Sequence, residues 1–170
     1  MLNALIEEKL NMNKEGESVG IFPKQVGNIF HGYRIAAIVS FLVTLFTLVR
    51  SCIHIFAPDG GASSIAGINT SVEGGSNIIS MFAFWGLAQL LMGFVYLVAF
   101  FRYKSLIPFM YILILVEYSG RVLVGLAKPL TVAHTPPGAI GNYMMIPLAA
   151  VMLILSLKKP NKSVHARALG

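Results

Sequence analysis

Four long apolar runs, at 35–56, 78–101, 106–127 and 139–157, constrain this chain more than any other feature. Each meets or approaches the roughly 20 apolar residues that an α-helix needs to cross the hydrocarbon core of a bilayer. With 56% of residues hydrophobic and only 12% charged, too little polar chain remains for a separate soluble domain. The expected fold is an all-α integral membrane protein, a left-handed bundle of four antiparallel transmembrane helices. Three regions follow: a tail at 1–34, the membrane domain at 35–157 and a basic tail at 158–170.

The formal charge of +6 raises the question of nucleic acid. Its distribution answers it. Lys9, Lys14, Lys24 and Arg34 precede the first run, and Arg102 and Lys104 separate the second from the third. Lys158, Lys159, Lys162 and Arg167 follow the fourth, whereas the loops on the other side carry only Lys128. This is the positive-inside pattern and predicts both termini in the cytoplasm. No nucleic-acid partner is expected; membrane lipids are, since basic flanks attract anionic headgroups. The first run starts at Ile35 and is too long for the apolar core of a cleavable leader, so none is expected. The single cysteine, Cys52, leaves no internal disulfide and no Cys-rich metal or redox motif.

Leu2, Leu5, Ile6 and Leu10 recur at helical spacing, so 1–18 reads as either a short interfacial amphipathic helix or a frayed polar tail. The first run carries Ser40, Thr44, Thr47, then Arg50 or Ser51, then His54, at steps of three and four that place them on one face. Small hydroxyl residues in such a stripe predict close packing on a neighbouring helix. The second run has Ala83, Gly86, Gln89 and Gly93 on one face, and Gln89 needs an interhelical partner. Trp85 reads as packing. The segment 57–77, rich in Gly, Ser and Asn, reads as an irregular outer loop. The turn at 101–105 is short and predicts a hairpin of the second and third helices. Pro136 and Pro137 mark the start of the fourth helix, and Pro147 inside it predicts a kink.

Glu117 and Arg121 lie within LILVEYSGRVLVGL, inside the third run. Ionisable groups at bilayer depth are costly, so they pair or face a cavity, and they mark functional positions. Taking each run's centre as the midplane, helical rise places Gln89 and Glu117 near the middle, with Arg50, Arg121, Asn142 and Tyr143 about 7–8 Å toward the outside. His54 lies farther out. The inner half holds little that compares. Unusual residues from all four helices therefore share one layer. Glu117 precedes Arg121 by four residues, the favourable order for a helical ion pair, though Arg50 could take Glu117 instead.

Two readings of this layer stand. One is a structural clamp that sets helix register. The other is an outward-facing polar pocket. Arg50, Arg121 and Lys128 outnumber Glu117, and the N-termini of the second and fourth helices point outward; both features favour an anionic or polar head. The four histidines are scattered, and no HExxH, CxxC, P-loop or GxSxG arrangement occurs. No metal site, cofactor or catalytic residue is expected.

EYSGR in the third run, APDGG…ASSIAGIN before the second and TPPGAIGN before the fourth resemble small bacterial membrane proteins in or near the DoxX-like group. The resemblance covers about 35–157. It implies a four-helix bundle in a bacterial inner membrane, and through EYSGR it points to Glu117 and Arg121 as site residues. Members of the wider group look like accessory subunits of membrane redox assemblies. The expected function is a non-enzymatic binding or accessory subunit, holding a lipid-like or small polar or anionic ligand, or docking a larger membrane partner. The alternatives are a redox or enzyme subunit using Glu117 or His54 in proton transfer, and a small homo-oligomeric transporter.

Overall fold

A computed structural model describes residues 20–160, and every regular element among them is helical. Four helices are long and apolar enough to cross a membrane: α1 (Arg34–Phe56), α2 (Gly75–Arg102), α3 (Ile107–Ala127) and α4 (Pro137–Leu157). The possible amphipathic helix at 1–18 and the C-terminal tail beyond residue 160 lie outside the described residues. The helix boundaries fall close to the apolar runs. The largest departure is at α2, which starts three residues early, at Gly75, behind Gly74 in the left-handed conformation at φ +79°. Pro108 occupies the first turn of α3 and Pro137 the first position of α4, where the missing N–H costs nothing. α4 runs through Pro147 as one helix.

The packing of α1 is inverted relative to a soluble helix. Its buried face is Ala36, Ser40, Val43, Thr44, Thr47, Ser51 and His54, while Leu42, Leu45, Phe46 and Val49 are exposed. In lipid the large apolar side chains gain nothing by turning inward, and helices associate through close approach of small residues. Three of the four hydroxyls on this face bond to their own helix, and the fourth, Ser40 Oγ, is buried without a partner among the described residues. Thr44 donates to the carbonyl of Ser40 (2.8 Å), Thr47 to that of Val43 (2.9 Å) and Ser51 to that of Thr47 (2.7 Å). The stripe therefore presents a small, nearly apolar surface. Gly86 and Gly93 of α2 pack against it: a methyl group on Gly86 would lie 2.7 Å from His54 Cβ, and one on Gly93 2.7 Å from Leu48 Cδ2.

The most extensive packing is α1 on α2, followed by α3 on α4. The short turn Tyr103–Leu106 joins α2 to α3, yet these two share the least packing of any helix pair in contact. Residue size explains the difference. The buried residues of α3 include Met110, Tyr111, Ile114 and Tyr118, and they meet Tyr96 of α2 in one core cluster, which holds the backbones apart. Tyr111 also donates to the carbonyl of Ala36 (2.6 Å), tying α3 to the first turn of α1.

The segment before α1 crosses the helix ends at one side. Gly27 N–H donates to Ser105 Oγ (3.0 Å), Ser105 N–H returns to the carbonyl of Gly27 (3.1 Å), and Tyr33 N–H donates to the carbonyl of Leu155 (3.1 Å). At the other side the α1–α2 loop meets the α3–α4 loop, where Ala133 N–H donates to the carbonyl of Gly67 (2.8 Å). Gly67 has φ +67°, and a side chain there would strike the ring of His134 at 2.9 Å.

Asp59 organises the first of these loops. Its carboxylate accepts from the N–H groups of Gly61 (2.9 Å), Ser63 (3.1 Å) and Ser64 (2.6 Å). The N–H of Ser64, followed by that of Gly61, holds the Asp59 carboxyl down at about 2. A carboxyl lowered in the fold from an unfolded value of about 3.9 stabilises fully above that value and loses its contribution as pH falls through the folded one. Thermal stability in detergent is therefore expected to drop between about pH 4 and pH 2 by more in the wild type than in Asp59→Asn. Parallel pH profiles for the two would show that the turn contributes nothing.

Candidate functional site

The buried apolar residues form one cluster: Ala36, Val43, Tyr96, Ala99, Ile107, Met110, Tyr111, Ile114, Tyr118 and Ala149. The unusual polar residues sit where this core ends. On α1, Arg50 lies one position from the buried stripe and is half-buried. Its Nη2 donates to Gln89 Oε1 on α2 (3.0 Å). Gln89 Nε2 donates onward to Glu117 Oε1 on α3 (2.8 Å). Arg121, one turn later on α3, donates its Nη2 to the same Glu117 oxygen and forms an ion pair with it. A hydrogen-bonded chain thus runs Arg50–Gln89–Glu117–Arg121 across three helices.

The amide of Gln89 explains the order. It both donates and accepts, so it can pass a bond from a guanidinium to a carboxylate that the guanidinium does not reach. Arg50 is bonded to Gln89, and Gln89 occupies the Glu117 contact that the sequence left open to Arg50. The interhelical partner that Gln89 needs is found twice over, one on each side of its amide.

Trp85 is the residue that sequence reasoning missed. The guanidinium carbons of Arg50 and Arg121 lie 5.3 Å and 4.9 Å from its ring, within cation–π range. Arg121 also approaches the Tyr118 ring at 5.1 Å. Trp85 precedes Gln89 by four residues and so shares its face, which is the signal that could have identified it.

His54 closes the layer on the loop side. Its Nδ1 lies 2.7 Å from the carbonyl oxygen of Gly60, and because a carbonyl only accepts, Nδ1 carries the proton. Its ring stacks at 4.7 Å on Trp85 and meets Phe82 at 5.7 Å. Gly60, at φ +59°, rests over this stack, where a side chain would come within 3.2 Å of Phe82 Cβ. His54 therefore joins the cluster through aromatic contact and pins the loop between α1 and α2 to it.

Asn142 and Tyr143 do not enter this hydrogen-bonded chain. Asn142 is half-buried, and Tyr143 is 58% exposed. The reason is visible along the ends of α3 and α4 next to the loop that joins them: no residue from 119 to 148 is buried. Helical rise places these two at the right depth, but α3 and α4 stand open at that level.

The chemistry available is electrostatic. Two guanidinium groups face one carboxylate, leaving one positive charge in excess among groups that are largely desolvated: the side chain of Arg121 is 15% exposed and that of Glu117 24%. Arg50 Nε is buried without a hydrogen-bond partner. Among the described residues no group of three or more His, Cys, Asp or Glu is placed to hold a metal ion. A shallow apolar depression along Leu48, Val49, Cys52, Ile53 and Phe56 lies on α1 outside this site. Comparison of the chain with protein-family models, with curated proteins and with solved structures finds no match.

Proposed function

We propose that this is a non-enzymatic binding or accessory protein of a bacterial inner membrane, and that Arg50, Glu117 and Arg121 bind an anionic or polar group within the bilayer. The observation that carries this reading is the imbalance of two guanidinium groups against one carboxylate, joined through Gln89. An unneutralised charge costs about 2.5–3.5 kcal/mol at the centre of a membrane helix by insertion scales and less toward the interface, and a bound anion lowers that cost.

The proposed architecture is an antiparallel bundle with both termini on the cytoplasmic side. It is supported by paired contacts that run in opposite directions along α1 and α2, Gly86 with His54 and Gly93 with Leu48. It is supported too by the bonds of Gly27 to Ser105 and Tyr33 to Leu155, which gather Lys24, Arg34, Arg102, Lys104 and Lys158 at one end of the molecule. The likeness of EYSGR and the two loop motifs to the DoxX-like group belongs to the same proposal. The proton-transfer alternative gains no support, because His54 is bonded to Gly60 while Glu117 is bonded to Gln89 and Arg121.

Native mass spectrometry of detergent-extracted protein tests the binding role. The wild type is expected to carry a small anionic species that Arg121→Ala loses and Glu117→Gln retains. If no variant carries one and both substitutions simply unfold the protein, the network is a clamp and the binding role is wrong.

A further inference from the structure

We propose that the group bound at Arg50 and Arg121 is the phosphate of an anionic phospholipid, which enters sideways from the bilayer through the open outer half of α3 and α4. This deepens the binding role proposed above and rests on it.

Two observations point the same way. The first is charge. A phosphodiester carries one negative charge, so together with Glu117 it balances Arg50 and Arg121. A zwitterionic lipid would bring back the positive charge that the site already holds in excess. Arg50 Nε has no acceptor among the described residues. Guanidinium groups are suited to the paired oxygens of a phosphate.

The second is access. On the water side the site is roofed by protein: His54 stacks on Trp85 and holds Gly60, and the two outer loops are bonded through Gly67 and Ala133. On the membrane side it is open. No helical residue at 119–127 or 137–148 is buried, and methyl groups placed on Gly120, Gly125 or Gly141 would meet nothing within 4 Å. Leu123, Leu126 and Met144 on these helices are apolar and exposed, as contact with an acyl chain requires. A solute from water meets the roof, whereas a lipid meets the open side.

Trp85 is the single tryptophan of the chain and lies against both guanidinium groups, so its fluorescence reports on the site directly. The experiment reconstitutes the full chain in vesicles containing a minor fraction of acyl-brominated phosphatidylglycerol or brominated phosphatidylcholine and measures quenching of Trp85. Phosphatidylglycerol is expected to quench preferentially, and Arg50→Gln or Arg121→Gln should each lower that preference roughly fivefold, about 1 kcal/mol per basic residue. Arg121→Lys should retain most of it, and Glu117→Gln should raise it. That opposite sign separates anion binding from loss of structure.

Equal quenching by the two lipids overturns the lipid assignment. A parallel measurement in detergent with glycerol 3-phosphate then decides what survives. An Arg121-dependent change in Trp85 emission means that the phosphate comes from water and the anion site stands. No response to lipid or to glycerol phosphate removes both readings. A mass of two chains together with equal quenching assigns the open face to a second copy of this protein and overturns the proposal.

Discussion

Replacing Glu117 with leucine is expected to lower the unfolding free energy in detergent by about 3–5 kcal/mol, the range for removing one partner of a desolvated ion pair. Hydrogen bonds alone would not account for that. Glu117 accepts from Gln89 across helices and from Arg121 within its own helix, and an interhelical bond in a membrane averages only about 0.6 kcal/mol. Most of the loss comes from charge. Without the carboxylate, Arg50 and Arg121 face each other's field across Trp85 with no counterion in the protein. Glu117→Leu with Arg121→Leu should recover part of the loss, because it removes one of the two stranded cations. The measurement is a double-mutant cycle by reversible unfolding, with Arg121→Leu as the fourth corner. A cost for Glu117→Leu below about 1 kcal/mol would place the pair with solvated surface ion pairs and remove the basis for treating this layer as desolvated.

The helices are legible in the sequence because crossing a bilayer imposes length and composition, and both are local. The same holds for the stripe on α1, where steps of three and four residues define a face without knowledge of any partner, and Ser40, Thr44, Thr47, Ser51 and His54 are buried together. That Gln89 bonds across helices follows from the cost of leaving an amide unsatisfied in hydrocarbon. What is not legible is azimuth. Depth arithmetic places Arg50, Arg121, Asn142 and Tyr143 in one layer, but depth does not say which way a helix is turned. α4 presents Tyr143 outward, and the four-helix layer reduces to a network of three helices. The choice of Gln89 rather than Glu117 as the partner of Arg50 depends on the offset between α1 and α2, which their packing sets. Trp85 is hidden for a different reason: its depth does not suit an interface anchor, although its spacing from Gln89 places it on the network's face.

Gly86→Leu is expected to cost about 3 kcal/mol or more, the upper end for forcing extra volume into a packed interface, and to break the Arg50–Gln89 bond as it does so. The cause lies in which atoms an added side chain would meet. At Gly86 the first methyl already lies 2.7 Å from His54 Cβ and 3.1 Å from the carbonyl oxygen of Ser51, both fixed to the backbone of α1, so α2 must move. Gln89 rides on the next turn and moves with it. An alanine series separates the sites, because alanine favours a helix over glycine by about 1 kcal/mol at every one of them. At Gly86 the clash should exceed that gain, giving net destabilisation. At Gly93 the close contacts of the added methyl are Leu48 Cδ2 and Cγ, on a side chain that can rotate, with Thr47 Cγ2 at an ordinary 3.7 Å, so Gly93→Ala should be close to neutral. At Gly120 nothing lies within 4 Å, and Gly120→Ala should stabilise. Thermal melts of the three variants read the order directly. If Gly86→Ala melts at or above the wild type, α1 and α2 are not held at the separation that aligns Arg50 with Gln89, and the network must be assembled by something other than this close approach.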